Sequence, residues 1–459
     1  MPDVTFSLPT FAEVEVCVVG GGPAGVAAAL SAARNGARTL LIERQGFLGG
    51  NATAAQVPAF APFSDRTRAI VRGIGWEVMT EMQRRLGRSL PDPESYAVAQ
   101  DQARMDWVPI DVEVLKRLYD DLCERAGVEV LFHTFTPEVL RDGDRIAGVV
   151  LANKDGLSLV QAKVFVDATG DADVATRAGC PFEQGDEDGN TQGMTLCFTV
   201  ANGSREAYLG YVYQTGDGFL ARLITEARAA GDYDLPDASL VGLSFKSETV
   251  AGANMGHVYG YSSTDARSLS RAEREGRRVV EQLLPFLRKY VPGQANLTLI
   301  STGPAIGVRE SRRIIGDYRL TVDDYLSCRS FPDDIARNAY FIDLHAVTTA
   351  QAARAKSISD TGSDGDTAKR KSFALSPGQS HGIPYRCLLP QGVENLLVAG
   401  RSLSAERPVQ GATRIMPVCF ALGEAAGLAA ALAAIHKVGV RAIPVPDLQI
   451  RLKAQGAWT

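Results

Sequence analysis

The chain has 459 residues, 45% of them hydrophobic and 22% charged, with a net charge of −5 and a pI near 5.7. That length supports two domains or one large α/β unit around a sizeable core. The mild acidity, with no long basic run, argues against nucleic acid as a partner, and seven cysteines without a C-x-x-C pair argue against a redox dithiol, a zinc site or an iron–sulfur cluster.

Residues 1–6 carry neither a basic nor an apolar leader pattern, so a cytoplasmic address is the default expectation. The first strong pattern follows. Val14–Val19 is valine-rich, as suits a strand buried on both faces, and it stops at glycine. Gly20, Gly22 and Gly25, with Pro23 and Ala24 between them, fill the G-x-G-x-x-G spacing. The first glycine permits the turn, the second lets a pyrophosphate approach the backbone, and the third lets the helix sit on the strand. A second apolar run, Ala37–Ile42, ends in Glu43, which follows Gly25 at about the 20-residue distance where a carboxylate can accept from a ribose hydroxyl. Arg44 beside it hints at a 2′-phosphate, but the acid would repel that group, so a dinucleotide without it is expected rather than NADP.

Gly46–Thr53 is a glycine-rich turn, and Gly49, Gly50 and Asn51 in it leave room for a bulky planar ligand. Residues 54–109 read as an excursion over the site, with an amphipathic helical stretch at 75–82. From Asp111, the apolar residues Val112, Leu115, Leu118, Tyr119 and Leu122 recur at helical spacing, with Gly127 as the stop. Three short runs, at 128–132, 138–140 and 146–151, predict an antiparallel meander. A further buried strand, 162–167, ends in a glycine–aspartate turn.

Composition shifts from about residue 181 to 384. The expected division is therefore a discontinuous domain of residues 1–180 and 385–459, interrupted by a substrate or cap domain of 181–384. Within the insertion, 271–290 predicts an amphipathic helix with a bend at Pro285, and the polar run 357–372 predicts a lid. The sheet pattern returns at 395–401. Met416–Pro417 then opens an Ala-rich helix, too poor in Leu and Ile to read as a membrane span.

Four segments taken together, Val18–Gly25, Phe47–Thr53, Val166–Asp173 and Asn395–Arg401, resemble the FAD-dependent oxidoreductases of the glutathione-reductase-like class. The nearer likeness is to the subgroup lacking a separate NAD domain. Ile306–Arg313 resembles that subgroup's substrate-side motif. The resemblance implies a Rossmann-like FAD-binding domain, a parallel sheet plus a small antiparallel meander, with an inserted α+β domain. It implies FAD as cofactor, with Glu43 on the adenosine ribose, Gly20 to Gly25 on the pyrophosphate, and Ala168, Thr169, Gly170 and Asp171 closing over the dinucleotide. Gly400 and Arg401 would reach the ribityl and phosphate region. Met416, at a positive helix end, would lie near the flavin, with Arg414 beside it. Phe135 completes the expected cofactor contacts.

The absent dithiol and absent second glycine fingerprint point to oxidation of a small organic substrate, with electrons passing to an unknown acceptor. The alternative is an FAD-binding electron-transfer subunit that needs a partner protein. No metal and no membrane are expected; a homo-oligomer is compatible with the pattern. Hydride transfer needs a base and charges that orient substrate. The candidates are His257, His345, His381, Tyr385 and Arg309, with Arg309 free for substrate unless Glu310 pairs with it. His133 and His436 read as structural. The loop 357–381 is expected to deliver His381 and Tyr385 to the cleft.

Overall fold

The computed structural model describes residues 7–95, 106–354 and 374–459. The predicted lid run, 357–372, lies outside the described residues.

In chain order, β1 (Thr10–Val19) leads through the glycine turn into α1 (Pro23–Arg34), and β2 (Thr39–Ile42) follows. Helix α2 (Gly73–Arg85) covers the expected amphipathic stretch, and α3 (Val112–Ala126) is capped by the Asp111 carboxylate, which accepts from Val114 N–H, and stopped by Gly127 at φ 71°. Then come β3 (Glu129–Leu131), β4 (Phe135–Asp142), β5 (Arg145–Asn153) and β6 (Gly156–Asp167). The insertion supplies β7 (Phe198–Ala201), β8 (Ser244–Phe245), β9 (Ala251–Ala253), the long helix α4 (Ala266–Tyr290), which continues through Pro285, and β10 (Thr298–Thr302). Next are β11 (Asp334–Asn338) and β12 (His381–Pro384). The chain returns through β13 (Leu396–Val398), α5 (Arg407–Thr413) and α6 (Met416–His436).

The main sheet runs β3-β2-β1-β6-β5-β4, with β13 also on β6. β6 is long enough to serve two neighbours on one side: its start pairs antiparallel with β5, and its end pairs parallel with β13. On its other flank it pairs parallel with β1, so Val19 and Val398 both sit in register with Asp167. Three strands therefore end together, and the turns after them face one crevice, the place where ligands bind in open parallel sheets.

Helices α1 and α6 pack over this end at close range. A Cβ on Gly423 would lie 2.0 Å from the Ala24 carbonyl oxygen, and one on Gly427 would lie 2.1 Å from that of Ala28. Only glycine permits that approach. It sets the N-terminus of α6, and Met416, beside the fingerprint turn. By length and composition α6 could cross a membrane, but 89% of its most apolar stretch is buried inside the fold.

The four strands β8-β9-β7-β10 and helix α4 enclose a second hydrophobic cluster, reaching from Met194 to Val308. The segment beyond it packs differently from a continuous insertion ending at 384. Leu320, Tyr325, Phe331, Ile335 and Ile383 are buried with the residues of α1, α3 and α6 in the first cluster.

Candidate active site

A cleft of about 840 Å³, its open mouth included, lies across the ends of β1, β6 and β13. The fingerprint turn forms its floor. A Cβ on Gly25 would sit 1.7 Å from the Gly20 carbonyl oxygen, and one on Gly20, at φ 98°, would sit 2.5 Å from the Ala168 oxygen. At Gly22 the nearest atom would be 3.9 Å away, so this backbone faces open space. Close packing holds the turn while its middle stays accessible, as a pyrophosphate requires.

Glu43 braces the rim. Its carboxylate accepts from Gly21 N–H at 2.7 Å and from Gln45 N–H at 2.8 Å, and burial pushes its pKa up. Gly49, at φ 114°, donates to the Gly21 carbonyl at 2.8 Å, and Asn51 donates to the Val308 carbonyl at 3.2 Å, tying the glycine-rich turn to the fingerprint turn and to the segment before Arg309. Arg401 donates to Asp171 at 2.8 Å. Burial opposes ionisation of Asp171, but Arg401 and the seryl donors outweigh it and hold the carboxyl below its usual range.

Beyond Arg414 lies a buried polar array built from separate loops. The Arg414 guanidinium donates to the Asp343 carboxylate at 2.9 Å. The same oxygen lies 3.3 Å from His345 Nε2 and accepts from the Tyr340 hydroxyl at 3.2 Å. His345 Nδ1 is 3.0 Å from His257 Nε2, and His257 Nδ1 is 2.5 Å from Asp237 Oδ1, which also accepts from the Tyr259 hydroxyl at 3.0 Å. Burial, the largest cause, together with nearby Arg309 drives the His345 pKa down to about 3 despite Asp343. Arg309 donates to three neutral acceptors: the Gly193 carbonyl at 2.7 Å, the Thr195 hydroxyl at 2.8 Å and the Asn254 side-chain oxygen at 3.2 Å. Burial and the like charge of Arg414 lower its pKa.

A family model described as FAD dependent oxidoreductase matches residues 15–452. The chain belongs to that family. Among curated relatives, it is 27% identical over 189 residues to a fumarate reductase (cytochrome) of Shewanella frigidimarina, covering 34% of this chain and 33% of that protein. It is 30% identical over 163 residues to digeranylgeranylglycerophospholipid reductase 1 of Methanopyrus kandleri, covering 34% and 40%. The chain thus spans about a third of the length of its first curated relatives. A solved geranylgeranyl bacteriochlorophyll reductase-like protein of Thermoplasma acidophilum is 13% identical, with a TM-score of 0.44, over 97% of this chain and 84% of that one.

For an FAD-dependent oxidoreductase the cleft has the required features. Gly20, Gly22, Pro23, Ala24, Glu43, Arg44, Gly50, Asn51, Ala168, Thr169, Gly170, Gly400, Arg401, Arg414 and Met416 all line it. The Nε atoms of Arg401 and Arg414 are buried without a hydrogen-bond partner among the described residues, and both residues line the cleft, where their positive charge suits an anionic ligand. Gly25, Gly49 and Asp171 act from behind the wall.

Phe135 is the exception among the cofactor candidates: its ring is 59% exposed on the meander and does not line the cleft. His257, His345, Arg309 and Arg414 are brought together, but His381 and Tyr385 are not part of that cluster. His381 is fully buried in the β11–β12 ribbon, with Nε2 3.0 Å from Asn338 Nδ2 and Nδ1 3.0 Å from the Gly382 carbonyl oxygen, and burial lowers its pKa to about 4. The Tyr385 hydroxyl donates to the Val440 carbonyl at 2.9 Å. Both are held within the first hydrophobic core rather than delivered to the cleft. Glu310 does not pair with Arg309 either; its fully buried carboxylate accepts from Arg407 at 2.8 Å and 3.0 Å, from Arg313 at 3.0 Å and from Gln192 N–H at 3.0 Å. Asp237, Tyr259 and Tyr340 were not singled out from the sequence. Asp343 stands two residues before His345 in the chain.

Proposed function

We propose that the chain oxidises a small polar hydroxylated or amino compound, passing the carbon-bound hydrogen to bound FAD as hydride and the O–H or N–H proton to the protein. The observation that carries this reading is the buried acid–base array one hydrogen bond behind Arg414, which itself lines the cleft. FAD, when bound, supplies the two-electron acceptor. Glycine backbone and Arg401 hold the dinucleotide, Arg414 and Arg309 place positive charge beside the reaction space, and Asp343 neutralises part of that charge while facing His345. The linked imidazoles and carboxylates of the array, rather than His345 alone, are the groups that would take that proton.

Anaerobic mixing of the flavin-loaded protein with a panel of hydroxy and amino compounds tests the proposal. Loss of the oxidised-flavin absorption on adding one class of compound is the expected outcome. Flavin that no small molecule bleaches, but that a protein reductant bleaches readily, would replace this reading with that of an electron-transfer subunit.

A further inference from the structure

Three contacts join four side chains in the array, and their proton requirement exceeds what neutral histidines can supply. Asp237 Oδ1 at 2.5 Å from His257 Nδ1 needs one N–H between them, His257 Nε2 at 3.0 Å from His345 Nδ1 needs a second, and His345 Nε2 at 3.3 Å from Asp343 Oδ2 needs a third. Each neutral imidazole carries only one N–H, and a carboxylate only accepts. Two neutral rings therefore satisfy two contacts and leave the third with facing lone pairs. We infer that Asp237, His257, His345 and Asp343 form a store for one proton, filled in the arrangement seen here and joined to the cleft through Arg414.

The surroundings locate the charge. His345 is surrounded by buried structure, with Arg309 close by and Arg414 and Tyr340 both bonded to its Asp343 partner, and it is held neutral. His257 faces Asp237 and Tyr259, with Tyr233 beyond Asp237. The imidazolium is therefore His257, donating from Nδ1 to Asp237 and from Nε2 to His345 Nδ1, while His345 donates from Nε2 to Asp343. The function of the store rests on the proposed oxidation. For that reaction the filled array first gives its extra proton to solvent; once emptied, it takes the substrate's O–H or N–H proton as that bond breaks, the C–H electron pair leaves with its hydrogen as hydride to the bound flavin, and the array returns to the filled form. Asp237 and His257 are positioning residues here, acting through His345 and Asp343.

Ring-nitrogen NMR on holoenzyme carrying ¹⁵N-labelled histidine reads the protonation without turnover, with His257→Asn used to assign the signals. The expected pattern at neutral pH is one doubly protonated ring, His257, and a neutral His345 carrying its proton on Nε2. Two neutral rings at neutral pH, or an Nδ1-protonated neutral His345, would overturn the inference. Asp237→Asn removes the carboxylate that faces the charged ring, so the doubly protonated signal should be lost at neutral pH with the flavin spectrum intact. If that variant does not retain FAD, Tyr259→Phe serves instead: losing a donor to the Asp237 carboxylate strengthens its hold on the proton, so the doubly protonated ring should persist to higher pH. A protonation pattern left unchanged in the folded variant would also overturn the inference. These outcomes are independent of whether any substrate reduces the flavin, so a failure of the store is distinguishable from a failure of the proposed reaction.

Discussion

The two halves of the site are built from different materials. The dinucleotide end is backbone: glycine turns after three strands, with α6 held against α1 by Gly423 and Gly427. The polar end is side chain: Asp237, His257 and the Asp343–His345 pair come from separate loops, and they are held by one another and by Tyr259, Tyr340 and Arg414. A backbone site fails by steric collision, because a single methyl group has nowhere to go. A side-chain site fails by charge imbalance, since a buried ion that loses its partner pays a desolvation cost with no return.

The largest effect should follow a methyl group added to the backbone half. In Gly25→Ala the new Cβ would lie 1.7 Å from the Gly20 oxygen, so α1 must part from β1. The expected result is protein purified without flavin, with a lowered melting temperature. Full FAD occupancy in this variant would show that the turn is far more compliant than the packing indicates.

Glu310→Gln tests how a buried side-chain ion cluster fails. The buried Glu310 carboxylate is shared by Arg313 and Arg407, and the amide leaves both cations without it. Removing one partner of a buried ion pair costs about 3 to 5 kcal/mol. Chemical denaturation should show a loss of that size, while FAD still binds the folded fraction because Glu310 lies outside the glycine cradle. A loss below about 1 kcal/mol would mean that solvent reaches these groups.

The same contrast decides what the sequence could reveal. Gly20, Gly22 and Gly25 were legible because a turn and a close approach demand glycine at a short, fixed spacing, whereas Glu43, expected on a ribose hydroxyl, is seen accepting from Gly21 and Gln45 N–H. Met416 was legible with them, through the proline that opens its helix. His257 and His345, by contrast, meet across the fold and have no common period with Asp237. His381 misled because Gly382 beside it looked like loop freedom. In the structure a Cβ at Gly382 would lie 2.1 Å from the Asp334 carboxylate, so that glycine serves strand pairing in a buried ribbon. Arg309 and Glu310 are adjacent, yet they leave the chain toward different partners, which no local pattern reports.

A smaller, pH-dependent effect belongs to Glu424, buried in α6 with its carboxyl accepting from Ile74 N–H at 2.9 Å. Burial raises its pKa to about 7. Its folded pKa thus lies above the unfolded one, so its contribution to stability is fully present below about pH 4.3, the ordinary Glu value, and is lost as pH rises through about 7. Glu424→Gln should flatten that decline, by about 3 kcal/mol at most across the range. Melting temperatures of both proteins between acidic and mildly alkaline pH provide the check, and parallel curves would remove Glu424 from the account.

The smallest effect, and the finest test of the contrast, is Glu43→Gln, which alters a buried carboxylate bracing the backbone half. The carboxylate serves two backbone donors, Gly21 N–H and Gln45 N–H, with one oxygen each. Glutamine offers one oxygen, so its amide nitrogen must face one of those N–H groups. A buried donor left unsatisfied costs about 1 to 3 kcal/mol, but the turn also rests on the packing of Gly20 against Ala168 and of Gly25 against Gly20, which the substitution leaves untouched. Only part of the cost should reach the cofactor, giving roughly a tenfold rise in the FAD dissociation constant, or about 1.4 kcal/mol. Affinity for NADP should stay low in both proteins, since the unaltered carboxylate repels a 2′-phosphate and the amide supplies no cation to attract one. Equilibrium dialysis of flavin-stripped protein against FAD and NADP measures both quantities. Unchanged FAD affinity, together with tight NADP binding by the unmodified chain, would mean that Arg44 rather than Glu43 governs the rim.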